Sequence, residues 1–541
     1  MNVPASPRKQ KSTRIPIANV ATLLVATAMI GQVLGFLRTK LVNSNFPATG
    51  PNSTDAYFAA FNIPDFFFFT IAAGALGVAF MPILSDHIHR GDRKGAHDLT
   101  ASLLNLMAMV MLAVGVIIFV FAEPLIKHIV APRMEGETLH NTVTIMRLLA
   151  FNPFLFTISG ILSSYQQTIG RFFFYALGPL FYNTSIIISI VVFSMAPGHD
   201  GGPGHLGLTG LGIGALVGAI AQLLIITVGM ANLRLNWRPI ITWRSADFRL
   251  ILKQLPPRSL DQGIDQLNSI VETRFARRLG EGYISFYNNA YVLSTAPTLL
   301  IGTAISTAAF PRLNQRLSQG RPDLFRKDFL SILRVMIWIS APIAIVAFFA
   351  RGYLARLIFS QNAPEIALIL EFLVGAIFFR TLYTLISRWF YAQKDTKTPL
   401  LISLFTISLN IVLAYFLSKP TNYGVTGLAL AQSIVAMVEV VVLMTVMIIR
   451  DHQLLDRVFW GGCMRIISVT GFSVIAGYIS VQLFPLGELD RGFVTLGAKL
   501  GVIAGAVLVT HIAVSALFGL EEVKPLFYRI RKFILKPVRI E

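Results

Sequence analysis

The sequence predicts an all-α, polytopic membrane protein of about 14 transmembrane helices, arranged as two six-helix bundles related by an internal repeat plus two C-terminal helices. Three observations predict it. Of the 541 residues, 54% are hydrophobic and only 13% are charged. Apolar runs of about 20 residues, each able to cross a hydrocarbon core of ~30 Å, recur along nearly the whole chain. Finally, GLTGLGIGA from Gly207 to Ala215 returns as GVTGLALAQ from Gly424 to Gln432. Two further echoes lie at similar offsets: YQQTIGRFFFYALGPLFYN at Tyr165 with YAQKDTKTPLLISLFTISLN at Tyr391, and GALGVAFMPILSDH around Pro82 with TAISTAAFPRLNQR around Pro311. Two copies of a membrane bundle suggest a transporter with its site between the halves.

In lipid, backbone groups must pair within their own segment, so the spans are helices. A basic N-terminus, 1–14, precedes the first run at 15–37. That run is too long for a secretory signal and lacks a small-residue cleavage site, so it reads as an uncleaved span. Spans 56–84, 99–122, 141–164, 172–195 and 206–231 complete an N-terminal bundle, 15–231. Spans 250–275, 283–310, 330–350, 365–390, 399–418 and 424–449 form the C-terminal bundle, 250–449. Spans 462–484 and 494–519 make an appended pair, 462–519, and a basic tail occupies 520–541.

The formal charge of +19 is carried by residues that punctuate the apolar runs. It therefore reads as a topology signal and not as a nucleic-acid surface. Clusters at Arg90, Arg93 and Lys94, at Arg234 to Arg249, and at Arg312 to Lys327 share one side with both termini, which the positive-inside rule makes cytoplasmic. The opposite loop, 196–205, has no Lys or Arg. The tail FYRIRKFILKPVRI reads either as a weakly amphipathic segment on the anionic inner leaflet or as an ordinary stop signal. Cys463 is the single cysteine, which excludes an internal disulfide framework and a Cys-rich metal site. The loops are too short for a catalytic domain and no GxxxxGK[ST] loop is present, so neither an enzyme nor an ATP-driven pump is expected.

Most spans read as packed or lipid-facing helix. Gly210, Gly214 and Gly218 form a small-residue ridge for close helix packing, and Phe66 to Phe69 reads as a lipid-facing aromatic run. Span 250–275 departs from this. PPRSLDQGIDQLNSIVETRFARRLG holds Arg258, Asp261, Asp265, Glu272 and Arg274, and each charge at a bilayer centre costs about 2.5–3.5 kcal/mol on insertion scales. Arg258, Asp261 and Asp265 lie at i, i+3, i+7, with Glu272 seven residues further on the same face. Such a face lines water between the bundles, or else forms interhelix salt bridges. Arg38, ending the first span, reaches into a cavity or snorkels to the interface; Asp55 begins the second span. Tyr287, Asn288, Asn289 and Tyr291 suit sugar hydroxyls, or an interfacial belt.

QVLGFLRTKLV, TDAYFAAFNIPDF, GALGVAFMPILSDH and above all FYAQKDTKTP resemble the MurJ/MviN family of lipid II flippases, over most of the chain. The resemblance implies a V-shaped pair of bundles around a cavity, a tail groove formed by the last two helices, alternating access and residence in the bacterial cytoplasmic membrane. It implies a polyprenyl-pyrophosphate-linked substrate, with cell-wall synthesis proteins as partners. Family members carry several cavity arginines. Here Arg38 matches one, while the others fall on Gln32, Phe68, Phe69 and near Tyr291, so Arg258 and Arg274 are candidates to replace them. The substrate-binding set is therefore Arg38, Gln32, Asp55, Arg258, Asp261, Asp265, Arg274, Asn288 and Asn289. Glu272 and Asn410 are candidates for coupling to a monovalent cation, Na+ or H+, with membrane potential as the other source of work and no other cofactor. Sodium-binding relatives often add a carboxylate one turn beyond that Asn, where this chain has Ala414. Other readings are export of a different undecaprenyl-linked glycan or amphiphile, a membrane glycosyltransferase, and a non-transporting scaffold for cell-wall enzymes.

Overall fold

The computed structural model describes residues 17–73, 80–194, 206–231, 233, 237–359, 361–487 and 490–524. Among them helices dominate and no strand occurs. In chain order the helices are α1 (Ile17–Asn45), α2 (Thr54–Phe67), α3 (Met81–His89), α4 (Arg93–Leu125), α5 (Gly136–Leu149), α6 (Asn152–Thr168), α7 (Phe173–Ser194), α8 (Gly207–Met230) and α9 (Ala246–Leu279). They continue as α10 (Tyr283–Pro297), α11 (Ala304–Ser318), α12 (Pro322–Phe349), α13 (Arg351–Ile358), α14 (Ala363–Ala392), α15 (Lys397–Leu417), α16 (Val425–Arg450), α17 (Arg457–Leu483) and α18 (Phe493–Leu517).

Eleven described helical segments are long and apolar enough to cross a membrane. The other three expected spans fall on α1, on α2 with the turn that follows it, and on α9. Helix α9 has 34 residues, about 51 Å at 1.5 Å per residue, so its length suffices although its composition is too polar to count. The N-terminus 1–14, the loop 196–205 and the tail beyond Lys524 lie outside the described residues.

Packing divides the chain into two compact units. One comprises Met1–Arg38, Phe67–Ile117 and Leu148–Ser259; the other comprises Thr39–Phe66, Ile118–Arg147 and Leu260–Glu541. These are not the halves 15–231 and 250–449 read from the repeat. Residues 39–66 and 118–147, from the first half of the sequence, pack within the second unit. The physical reason is a set of polar contacts to α9 and α10, described below.

The first unit is centred on Phe80, Leu84, Leu103, Ile161 and Phe248, all fully buried. The second is centred on Phe329, Met336, Leu385, Phe390 and Met447. Lipid is as apolar as these side chains, so close packing, not burial from water, must hold such helices together. The repeated glycines meet that need twice. Gly207 and Gly424 have φ of 50° and 58°, backbone that a side chain resists. Three residues on, a Cβ at Gly210 would lie 2.7 Å from the Phe193 ring of α7, and one at Gly427 would collide with the Leu417 carbonyl oxygen of α15. Each copy of the motif thus presses its helix against the preceding one.

The halves share a second device. Pro64 in α2 is followed by a π-helical turn at Phe68–Ala73, and Pro297 in α10 by another at Thr298–Thr303. Proline removes a helical donor and π turns absorb the misregister. The Phe66 to Phe69 run is partly folded back on the protein here, with Phe68 edge-on to Phe156 of α6 at 5.6 Å between ring centres.

A steric contrast tests this packing. Gly427→Ala should lower the melting temperature of the detergent-purified protein by several degrees, overpacking costing roughly 1–3 kcal/mol. Gly471→Ala on α17 meets nothing within 4 Å and should be neutral or slightly stabilising, since alanine favours helix by up to about 1 kcal/mol.

Candidate functional site

Helix α9 carries polar residues along one face, and the second unit brings four other helices to it. Glu272, only 5% exposed, is the centre. Its Oε1 accepts hydrogen bonds from Asn268 Nδ2 of α9 at 2.9 Å, from Asn410 Nδ2 of α15 at 3.4 Å, and from Gln432 Nε2 of α16. Asn410 also donates to Asn268 Oδ1 at 2.5 Å. The Asn410 Oδ1 oxygen is buried and has no hydrogen-bond partner among the described residues.

A cation stands behind this carboxylate. Arg380 of α14 donates through Nη2 to Gln432 Oε1, and its Nη1 lies 3.5 Å from the Tyr291 hydroxyl of α10. The guanidinium also sits 5.9 Å from the centre of the Tyr291 ring, which stacks on Tyr287. Asp265, Glu272 and Glu439 are the carboxylates in its electrostatic surroundings; Glu439 of α16 accepts from Ser403 Oγ at 2.8 Å. Among the described residues the Tyr287 hydroxyl has no hydrogen-bond partner of good geometry, although it lies beside Glu272. A guanidinium only donates and a carboxylate only accepts. Between them Gln432 must turn its oxygen to Arg380 and its amide N–H to Glu272, so its orientation is chemically fixed.

A second group of contacts ties residues 39–66 and 118–147 to α9 and α10. Asp55 is buried and caps α10: its oxygens accept from Gly282 N at 2.7 Å, Ser285 N at 2.8 Å and Ser285 Oγ at 2.7 Å, with Arg277 Nη1 4.0 Å away. A carboxylate at a helix N-terminus meets donors the helix itself cannot satisfy. Asn43 of α1 and Asn289 of α10 exchange amide hydrogen bonds at 2.6 and 3.2 Å. Arg274 Nη1 holds the carbonyls of His128 and Ile129 at 2.6 and 3.2 Å, where the helix continuing α4 ends. Asn62 Oδ1 accepts from Thr273 Oγ1 at 3.3 Å.

The structure therefore sorts the expected site residues. Glu272 and Asn410 meet in one cluster. Asp265, on the same helix face, is exposed, whereas Glu272 is enclosed by amides and does not line water. Asp55, Asn289 and Arg274, expected to bind substrate, hold helix ends and an amide pair in this structure. Asn288 is half-buried, and Gln32 and Arg38 are half-buried on α1. Arg258 and Asp261 lie on α9, but their side chains are outside the described ones. Sequence reading missed Arg380, Gln432 and Glu439. A signal existed: Arg380 and Glu439 interrupt the apolar runs of α14 and α16, and Gln432 replaces Ala215 of the first motif copy.

Two more features bear on function. An apolar cavity of about 400 Å³ opens between α12, α14 and α17, lined by Ile345, Phe349, Phe378, Ile466 and Val474, among others. The FYAQKDTKTP turn is a structural latch. Asp395 accepts from Thr398 N at 3.1 Å, Thr398 Oγ1 at 2.6 Å and Arg450 Nη1 at 2.6 Å, and Arg450 covers the Phe390 ring. It fastens the α14–α15 turn to the end of α16.

This fold, two repeats of membrane helices with a polar cluster enclosed in one unit, defines a polytopic membrane protein of the two-bundle transporter class. It matches a MATE-family multidrug transporter of the MOP superfamily, seen facing inward, at TM-score 0.62 with 18% identity, over 83% of this chain and 98% of that one. It matches a structure described as "Lipid II flippase MurJ, inward closed conformation" at TM-score 0.75 with 19% identity, over 92% and 99%. The family model "Lipid II flippase MurJ" matches residues 50–487, and the chain belongs to that family. Among curated relatives, the probable lipid II flippase MurJ of Buchnera aphidicola is 27% identical over 429 residues, 77% of this chain and 80% of its own length. The lipid II flippase MurJ of Burkholderia cenocepacia is 27% identical over 405 residues, 70% and 73%.

Titration of the latch gives a check. Burial raises the Asp395 carboxyl, but the hydrogen bonds from Thr398 and Arg450 outweigh it and hold the group down to about 2, against an ordinary 3.8. Its contribution is therefore complete above about pH 5 and is lost as the pH falls from 4 towards 2. Asp395→Asn should lower the melting temperature at neutral pH, because about 1–3 kcal/mol of charge-assisted bonding is lost. The difference from wild type should be constant from pH 8 to 5 and narrow only below 4.

Proposed function

We propose that the chain moves lipid II, an undecaprenyl-pyrophosphate-linked peptidoglycan precursor, from the inner to the outer leaflet of the bacterial cytoplasmic membrane. The family match across residues 50–487 carries this reading. The physical problem is a charged headgroup that cannot enter hydrocarbon, where an isolated charge costs tens of kcal/mol in the Born limit. A carrier solves it by offering the head a polar path while the polyprenyl tail stays in lipid. The apolar cavity beside α17 suits a tail, and Arg38 suits pyrophosphate, since guanidinium grips two oxygens at once. No bond of the substrate is made or broken, so the protein acts as a carrier and not as an enzyme. Consumption of the product by outer-face synthesis proteins, and a membrane potential worth ~2.3 kcal/mol per charge per 100 mV, supply direction.

With both termini cytoplasmic by the charge rule, the contacts of Asp55, Asn43 and Arg274 with their partners lie at the outer side. They serve as an outer gate. Each is a short polar contact among helix ends, strong enough to hold one state and separable at modest cost, as alternating access needs.

Complementation of a flippase-depleted bacterium, read as lipid II accessible at the outer face, tests the function. Wild type should restore it. Arg38→Ala at normal membrane level should reduce flipping at least ~10-fold, about 1.4 kcal/mol, with Arg38→Lys partly active because charge survives without the bidentate geometry. Wild-type flux in Arg38→Ala removes Arg38 from the headgroup. The gate has its own test. Asn43→Cys with Asn289→Cys in a Cys463→Ser background, bridged by a short bis-methanethiosulfonate that forms two disulfides with loss of methanesulfinate, should stop flipping until the bridge is reduced; flux through the bridged protein would show that this contact never opens.

A further inference from the structure

The residues around Glu272 do not suit a bound sodium ion, one of the two coupling cations expected there. A sodium ion wants oxygens pointing inward. Here three amide N–H donors point at one carboxylate oxygen, and the Gln432 oxygen is already taken by Arg380. We propose that Arg380 is the cation of this site: a tethered guanidinium that supplies the positive charge Glu272 needs and, through Gln432, excludes an added monovalent cation.

The argument runs through charge and geometry. Glu272, Glu439 and Asp265 surround Arg380 from α9 and α16, and Tyr287 and Tyr291 flank it from α10. A carboxylate enclosed in a membrane bundle persists only with a partner charge and satisfied hydrogen bonds. A resident guanidinium meets that need at every sodium concentration. It also fixes the amide of Gln432, because turning that amide would set N–H against guanidinium and oxygen against carboxylate. Removing the guanidinium releases this constraint. Gln432 is then free to turn its oxygen inward and join Glu272 and the unpartnered Asn410 Oδ1, three oxygens within reach of one small cation. Arg380 is thus a positioning residue of the coupling cluster, and the consequence for transport is flux independent of sodium.

Sodium binding to the purified full-length protein tests this without lipid II, so the outcome is separate from the substrate reading on which the word "coupling" rests. Melting temperatures are compared in sodium chloride and choline chloride of equal ionic strength, on the order of 100 mM, since a ligand that binds only the folded state raises stability in proportion to its occupancy. Wild type should show no sodium-specific shift. Arg380→Gln should gain one of about 2–4 °C, and Arg380→Gln with Glu272→Gln should lose it again. Arg380→Lys, which keeps the charge, should remain insensitive. A sodium-specific shift in wild type that Glu272→Gln abolishes overturns the proposal, and so does a folded Arg380→Gln protein with no gain. If Arg380→Gln does not fold, Arg380→Met serves instead: it removes the guanidinium, keeps an unbranched side chain and leaves Gln432 free to turn, so it should gain the same sodium-specific shift. A folded Arg380→Met protein with no gain overturns the assignment.

Discussion

A carboxylate and a guanidinium enclosed among membrane helices constrain everything near them. Neither charge tolerates hydrocarbon alone, and here neither touches the other directly: Gln432 stands between them as donor to one and acceptor from the other. That arrangement needs α9, α14 and α16 at fixed separations, with α15 supplying Asn410 and α10 the tyrosines. Polar bonds between helices are modest individually, near 0.6 kcal/mol on average in membrane proteins. Their effect is one of specification. A helix that slid by one turn would leave a charge unpaired, and so the cluster fixes the register of five helices.

The same economy governs the contacts just beyond Glu272, where α9 ends. Asp55 meets the open N–H groups at the start of α10, and Arg274 meets the open carbonyls where the helix after α4 ends. Helix ends are where backbone groups lack partners, so side chains that satisfy them hold strongly when docked and can be replaced by water when not. Residues of this kind suit a gate better than apolar contacts would. They also explain why packing assigns 39–66 and 118–147 to the second unit when the repeat assigns them to the first half.

What the sequence made legible follows from the membrane. Helix class, repeat and approximate spans were readable because lipid permits little else. Glu272 and Asn410 were readable as candidates because the repeat requires the charged α9 segment to cross the membrane and because the family resemblance points to that Asn. The roles of Asp55, Arg274 and Asn289 were not, because nothing in a single sequence says whether a polar side chain meets a ligand or a neighbouring helix end. FYAQKDTKTP shows the same limit: nothing in the sequence says that Asp395 closes this turn onto Arg450.

The two halves of the repeat show how a site grows on a symmetric scaffold. Both keep the glycine packing, the proline with its π turn, and an Asn ending the segment that starts at Tyr165 or Tyr391. In the first half that Asn, Asn183, bonds locally to the Pro179 carbonyl at an exposed position; in the second, Asn410 is buried against Glu272. Ala215 of the first copy is buried in an apolar setting, and its counterpart Gln432 carries the relay. By the register of the two tyrosines, Arg380 falls opposite Phe154. Each polar substitution alone would bury an unpaired group at a cost of kcal/mol, so the set is stable only when complete. That interdependence makes the polar members of the second half one unit, and it places the divergence between the copies, rather than their likeness, at the buried polar cluster.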